Sequence, residues 1–252
     1  MMANEDSNFI VFTTNRSGSE WLISTLNNFQ GVSAHGELFL PRVRNLDKKW
    51  DADFAYTRFF ETKFEKPTFR PFSVFSYLDT LYSTPGKVGF KVMYKQLGLY
   101  PEIMVYLIRH RIRVIHLVRK NHLDVMLSYA VKAKVGQAHL LAGQSAPDKL
   151  QVELDTANLV GKLSWLERQQ SMARKFLTWC RLSHIEVAYE DMVRDQARYF
   201  QLIRDFLSID PGQQTPQSPL TRTRRGCHRE MISNYDQVRK ALADSQFAGL
   251  LE

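Results

Sequence analysis

Apolar positions along the chain fall into short continuous runs that alternate with helical spacings. The first run, Phe9-Ile10-Val11-Phe12, gives way to the polar stretch Thr13-Thr14-Asn15-Arg16-Ser17-Gly18-Ser19. Leu22, Leu26 and Phe29 follow, with Thr25 beside them, at the i, i+3, i+4, i+7 spacing of one helix face. Strand, loop and helix are therefore expected in that order. Val88 to Met93, Val114 to Val118 and Ile185 to Tyr189 are further β-rich runs. Helical patterns run from Leu123 to Lys132, Asn158 to Arg181, Asp191 to Leu207 and His228 to Leu242, the last with Met231, Tyr235, Val238 and Leu242 on one face. Asp210 to Gly226, which contains Pro and Gly, reads as a loop. Two stretches escape the alternation: Leu40 to Pro85 mixes aromatics with charges, and Gly136 to Leu154 is loop-like before the alternating Leu150, Val152 and Leu154. Such insertions form a lid or pocket where they lie beyond the carboxyl ends of strands, or else a satellite core with a solvated rim.

Strands alternating with helices predict an α/β chain with a central, mainly parallel sheet flanked by helices, a three-layer arrangement. The first strand, loop and helix make it P-loop-like. At the helix N-terminus the free backbone N–H groups and the positive end of the dipole favour an anion. Gly18 permits close backbone approach, Ser17 and Ser19 add hydroxyls, and Arg16 adds a permanent charge with a fork of donors. The Gly-Lys-Ser/Thr ending of a nucleotide kinase is missing, and no acid stands out as a magnesium ligand. A second anion-binding segment is Arg119 at the carboxyl end of the Val114 to Val118 strand, followed by Ser128 in a helix that Asn121 would cap.

Composition narrows the class. The chain has 252 residues, no linker, no repeat and no low-complexity tract, so it reads as one domain spanning residues 1–252. Its apolar runs are too short to span a bilayer, and Asn4-Glu5-Asp6-Ser7-Asn8 does not resemble a signal peptide, so a soluble, cytoplasmic protein is expected. Cys180 and Cys227 lie far apart, and neither they nor the seven histidines show metal-ligand spacing, so no metal is expected. The net charge of +8 implies an anionic partner. His110-Arg111-Ile112-Arg113 and Arg222-Thr223-Arg224-Arg225 raise the possibility of nucleic acid, but neither carries a reading motif, so no nucleic acid is expected.

Taken together, Thr14 to Leu22 and His116-Leu117-Val118-Arg119-Lys120-Asn121 through Ser128-Tyr129 resemble the sulfotransferases that use 3′-phosphoadenosine 5′-phosphosulfate (PAPS). Gly36-Glu37-Leu38-Phe39, Gly89-Phe90-Lys91, Tyr189-Glu190-Asp191-Met192 and Ile232-Ser233-Asn234-Tyr235 are similar to segments of the bacterial and carbohydrate-type members. The chain has Arg16 where the cytosolic animal branch commonly has lysine. The resemblance implies that the first loop, Arg16, Ser17, Gly18, Ser19, Glu20 and Trp21, holds the 5′-phosphosulfate, and that Arg119 and Ser128 hold the 3′-phosphate. It also implies that Arg224, Arg225 and Gly226, with Arg222, close over that phosphate. Arg16 is the candidate for stabilising the departing charge, Glu37 for the general base with His35 as its rival, and Lys91 for contact with the transferring sulfuryl group. Glu190 and Asp191 are expected to cap a helix near Met192. The implied acceptor is a hydroxyl or amine of a carbohydrate, glycolipid or small metabolite, met by insertions near 40–85 and 136–154. A nucleotide- or RNA-binding protein without turnover, or less readily a small-molecule kinase, would share the same phosphate loop.

Overall fold

A computed structural model describes residues 8–40, 56–62, 69–135, 150–210 and 227–251, and the backbone of 140–141 and 220–221. In chain order the elements are β1 (Phe9–Thr13), α1 (Ser19–Leu26), β2 (Val32–His35), α2 (Arg70–Tyr82), β3 (Lys87–Met93), α3 (Tyr94–Leu99), α4 (Pro101–Arg109), β4 (Arg113–Val118) and α5 (His122–Val135). They continue with β5 (Leu140–Leu141), α6 (Leu159–Trp179), β6 (His184–Ala188), α7 (Tyr189–Arg194), α8 (Gln196–Leu207), β7 (Leu220–Thr221), α9 (His228–Met231) and α10 (Tyr235–Leu242). The contacts divide the chain into two units, residues 1–118 with 176–217, and residues 119–175 with 218–252.

The first unit is built on a five-stranded sheet in the order β2-β3-β1-β4-β6, parallel at every pairing. The expected α/β fold with a central parallel sheet flanked by helices is thus present. Side chains alternate across the sheet. Phe9 and Val11 of β1, Ile115 and Leu117 of β4 and Val187 of β6 enter one core with Leu22, Ile23 and Leu26 of α1 and Phe200, Ile203 and Leu207 of α8. On the opposite face Phe90 of β3 meets the ring of Tyr82 from α2, whose hydroxyl donates to the Phe9 carbonyl at 3.2 Å. Gly89 is opposite Phe9 in the register, and a Cβ there would lie 2.4 Å from the Phe9 ring. Glycine is what lets the ring lie across β3.

Several boundaries differ from the sequence expectation. The pattern from Asp191 to Leu207 is two helices, because Asp195 leaves helical geometry and caps α8 through the Arg198 N–H at 3.1 Å. Glu190 and Asp191 lie inside the first turn of α7 and not at its cap, which is Ala188. His228 to Leu242 likewise breaks between α9 and α10, where Ile232 turns extended and bridges Val152. Part of the aromatic stretch from Leu40 to Pro85 is α2, whose Val74, Tyr77, Leu78 and Leu81 are buried; residues 41–55 and 63–68 lie outside the described residues. The edge strand β2 had no readable signal, being four residues with alternate burial.

In the second unit, Leu123, Leu127 and Val131 of α5 pack with Leu159 and Leu163 of α6 and with Met231, Val238 and Leu242. Val152 and Leu154, two of the alternating positions, are buried there and Leu150 packs against them. β5 and β7 form a short antiparallel pair. Within the described residues no helix is long and apolar enough to cross a membrane.

Candidate functional site

β1 is flanked by β3 and β4, so the chain leaves β1 toward one side of the sheet and later returns to the other. That reversal makes the carboxyl end of β1 a topological switch point, where open parallel sheets bind ligands. The polar loop from Thr14 to Gly18 occupies it. Arg16 has φ 62° and Gly18 φ 83°, both left-handed, and Gly18 is the residue preceding α1. Left-handed geometry costs an L-residue about 1–2 kcal/mol, which Gly18 avoids and Arg16 does not. Gly18 is fixed by packing as well, since a Cβ would come within 2.1 Å of the Tyr189 ring at the start of α7. Ser17 is fully buried; its Oγ lies 2.6 Å from Thr13 Oγ1 and 2.9 Å from the Thr14 carbonyl, while Thr13 Oγ1 reaches the Leu117 carbonyl at 2.7 Å. Both hydroxyls therefore anchor the loop to β1 and β4. Ser19 is buried at the first position of α1, and Trp21 packs edge-on against Tyr189 and Phe200.

The next residues of α1 bring in charge. Lys91 is only 5 % exposed on β3, which lies between β2 and β1 in the sheet. It points to the α1 side of the sheet because it pairs with Val11. Its ammonium bonds to Glu20 Oε1 in the first turn of α1 and lies 3.2 Å from Glu37 Oε1. Burial alone would lower the Lys91 pKa, but Glu20 and then Glu37 more than offset it, and the group is held above its ordinary value. Gln96, 1 % exposed on α3, orients the assembly: its Oε1 accepts from the Met93 N–H at 2.8 Å and its Nε2 donates to Glu37 Oε2 at 3.3 Å. Through Lys91, Glu37 is tied to Glu20 in the first turn of α1, the helix that follows the loop after β1.

His35 and Glu37 do not pair. Among the described residues the His35 ring meets the Tyr56 ring at 5.2 Å, and burial lowers its pKa below 6.5, leaving the imidazole uncharged at neutral pH. A different histidine is engaged with an acid. His116, fully buried on β4, has Nδ1 3.0 Å from Glu186 Oε2 across the β4–β6 register and Nε2 2.6 Å from the Tyr94 hydroxyl. An ionised Glu186 can only accept, so Nδ1 carries the proton on that side, while the Tyr94 hydroxyl can either donate to or accept from Nε2. No local spacing could have announced this arrangement. Of the basic cluster His110 to Arg113, His110 stacks on Tyr106 at 4.2 Å, and Arg113 bonds to the Phe206 carbonyl and to Ser208 Oγ at 3.0 Å. Those are structural contacts within the first unit.

In the second unit, Arg119 donates from Nη2 to Asp124 Oδ2 at 2.9 Å, and the other oxygen of Asp124 is 2.8 Å from His228 Nε2. Asn121 Oδ1 accepts from the Asp124 N–H at 3.1 Å, which is the expected cap of α5. The Arg119 carbonyl is held by Gln170 Nε2 at 2.8 Å. Ser128 lies partly buried two turns into α5. Arg222, Arg224, Arg225 and Gly226 lie outside the described residues. Among the described residues no group of three or more His, Cys, Asp or Glu side chains could hold a metal ion.

No family model matches the sequence, and no curated protein matches it. Among solved structures, the chain is similar to the crystal structure of mouse sulfotransferase SULT7A1 complexed with PAP, at 11 % sequence identity and a TM-score of 0.47, over 99 % of this chain and 88 % of that one.

Proposed function

We propose that the chain is a sulfotransferase that moves the sulfuryl group of PAPS to a hydroxyl or amine of a carbohydrate, glycolipid or small metabolite and releases 3′-phosphoadenosine 5′-phosphate (PAP). The observation that carries the reading is the Glu20–Lys91–Glu37 cluster beside the first turn of α1, at the switch point of the sheet. It gathers an anion-binding helix start, a buried cation and a carboxylate base at one strand end. The motif resemblance supplies the donor.

In this reading the 5′-phosphosulfate lies against the backbone N–H groups of Gly18 to Trp21, with Arg16 balancing the charge that grows on the departing phosphate. The acceptor oxygen attacks sulfur in line with the leaving phosphate oxygen. Glu37 takes the acceptor proton as the new S–O bond forms, and Lys91 offsets negative charge on the transferring group. His35, uncharged at neutral pH, is the rival base. Ser17, whose hydroxyl is bound inside the loop, contributes through its backbone, and Ser19 through its position at the helix start. Arg119 and Ser128 take the 3′-phosphate by the resemblance, with Asp124 orienting the guanidinium. The reducing compartment suggested by two unpaired cysteines is consistent with a cytoplasmic enzyme.

Calorimetric titration with PAP against ADP and AMP, with and without magnesium, tests the donor. Selective, metal-independent binding of PAP is expected. Preference for ADP with magnesium would favour a kinase, and PAP binding without turnover a non-catalytic nucleotide-binding protein. With an acceptor in hand, Glu37→Gln should lower kcat by about 100-fold or more with little change in PAP affinity, the usual loss for a general base. Undiminished turnover would remove Glu37 and bring His35→Ala to the front.

A further inference from the structure

Helix α6 carries two rows of side chains. Leu159, Leu163, Leu166, Gln170, Ala173 and Leu177 recur at alternating steps of four and three residues, and all are buried. That row is the face the helix gives to its core. Two residues further on, about 200° around the axis, lies a second row: Trp165, Arg168, Met172, Lys175 and Trp179. Trp165 is 58 %, Met172 69 % and Trp179 83 % exposed. A helix face opposite its core is ordinarily polar. Here every seventh residue is large and apolar, with a cation between each pair.

We propose that this row docks the protein on an anionic lipid bilayer, with the two indoles and the thioether entering the boundary between headgroups and acyl chains and Arg168 and Lys175 meeting lipid phosphates. The row is a line about 21 Å long on a convex helix, with neighbouring apolar groups about 10 Å apart. Protein partners grip through a charge-depleted, pocketed centre, and alternating cations do not make one. A second copy fits worse: an antiparallel pairing centred on Met172 sets Arg168 of one chain against Lys175 of the other. Bulky apolar groups interleaved with Lys and Arg are what lets a helix lie in a membrane interface. Between residues 162 and 181 the single acid, Glu167, stands among five Lys and Arg, and the whole chain carries +8. Membrane docking does not depend on sulfuryl transfer, although it would bring the enzyme to a lipid-linked acceptor.

The test is co-sedimentation of the full chain with vesicles of phosphatidylcholine containing phosphatidylglycerol, against vesicles of phosphatidylcholine alone. Binding to the anionic vesicles should be at least ~10-fold tighter and should weaken with added salt. Trp165→Ser with Trp179→Ser should abolish it, and Arg168→Glu with Lys175→Glu should do the same. All four side chains point away from the buried row, so circular dichroism and PAP titration should match the parent chain; those readouts separate failure of docking from failure of the donor site. Absence of sedimentation with anionic vesicles overturns the proposal. So does equal sedimentation of the variants, or a dimer in analytical ultracentrifugation that the tryptophan substitutions dissolve.

Discussion

Arg16 is held in a left-handed conformation that suits glycine, at the position where the resemblance requires a cation. Backbone strain of this kind persists where the surroundings over-determine it, commonly at ligand sites. Arg16→Gly therefore separates fold from function. Relief of the strain is offset by the entropy of glycine, so the melting temperature should stay near that of the parent or rise, while PAP affinity falls by ~10-fold or more, as expected for loss of a charge-assisted bond. A parallel loss of stability would show that Arg16 serves the fold. Lys91 behaves in the opposite sense. Lys91→Met leaves Glu20 and Glu37, each less than a fifth exposed, without their shared cation, and should cost about 3 kcal/mol in denaturant unfolding. Glu20→Gln in the same chain should recover part of that cost. Because the folded pKa of Lys91 is raised, its contribution is fully present below 10.5 and is lost as pH climbs through the raised value. The stability gap between parent and Lys91→Met should accordingly stay level around neutral pH and close only in strong alkali.

At the scale of elements, the contact of β3 with β1 depends on the absence of a side chain at Gly89. Gly89→Ala should destabilise the first unit by about 1–3 kcal/mol through overpacking against Phe9. Phe9→Leu, which removes the ring that the new Cβ meets, should rescue much of it in urea unfolding; no rescue would mean that β3 itself resists the substitution. β1, β3 and β4 were readable because they are buried at almost every position and so read as near-continuous apolar runs, whereas β6, an edge strand exposed at Glu186, was readable from its β-branched Ile185 and Val187. β2 escaped because a four-residue edge strand with half-buried, polar Ser33 and His35 differs little from a loop. α2 escaped because its apolar row is interrupted by Phe72 and Phe75, which lie off the buried face and blur the period. The single helical pattern around Asp195 split because a capping acid in mid-pattern carries no mark of its own until the backbone turns.

For the whole molecule, ligand binding is a statement about stability. PAP at 100 times its dissociation constant should stabilise the folded chain by about 2.7 kcal/mol, and a thermal shift present with PAP and absent with AMP would identify the 3′-phosphate as the recognised group. Equal shifts with both would remove Arg119 and Ser128 from the donor site. The two units carry separate cores, one around β1, α1 and α8 and one around α5, α6 and α10. The loop after β1 belongs to the first and Arg119 to the second, so each of the two segments proposed to bind the donor is held by its own packing.

The sequence by itself determined the strand–loop–helix at the start, the parallel-sheet class, the helix cap at Asn121 and the residue types able to meet a phosphate. Those features are local, set by side-chain alternation, helical period and capping within a few residues. Only the tertiary structure decided that Lys91 is buried between Glu20 and Glu37, that His116 pairs with Glu186, and that Asp124 stands between Arg119 and His228. These partners are 71, 70 and 104 residues apart for Lys91–Glu20, His116–Glu186 and Asp124–His228. Strand order and helix packing bring such groups together, and neither leaves a periodic trace in the chain.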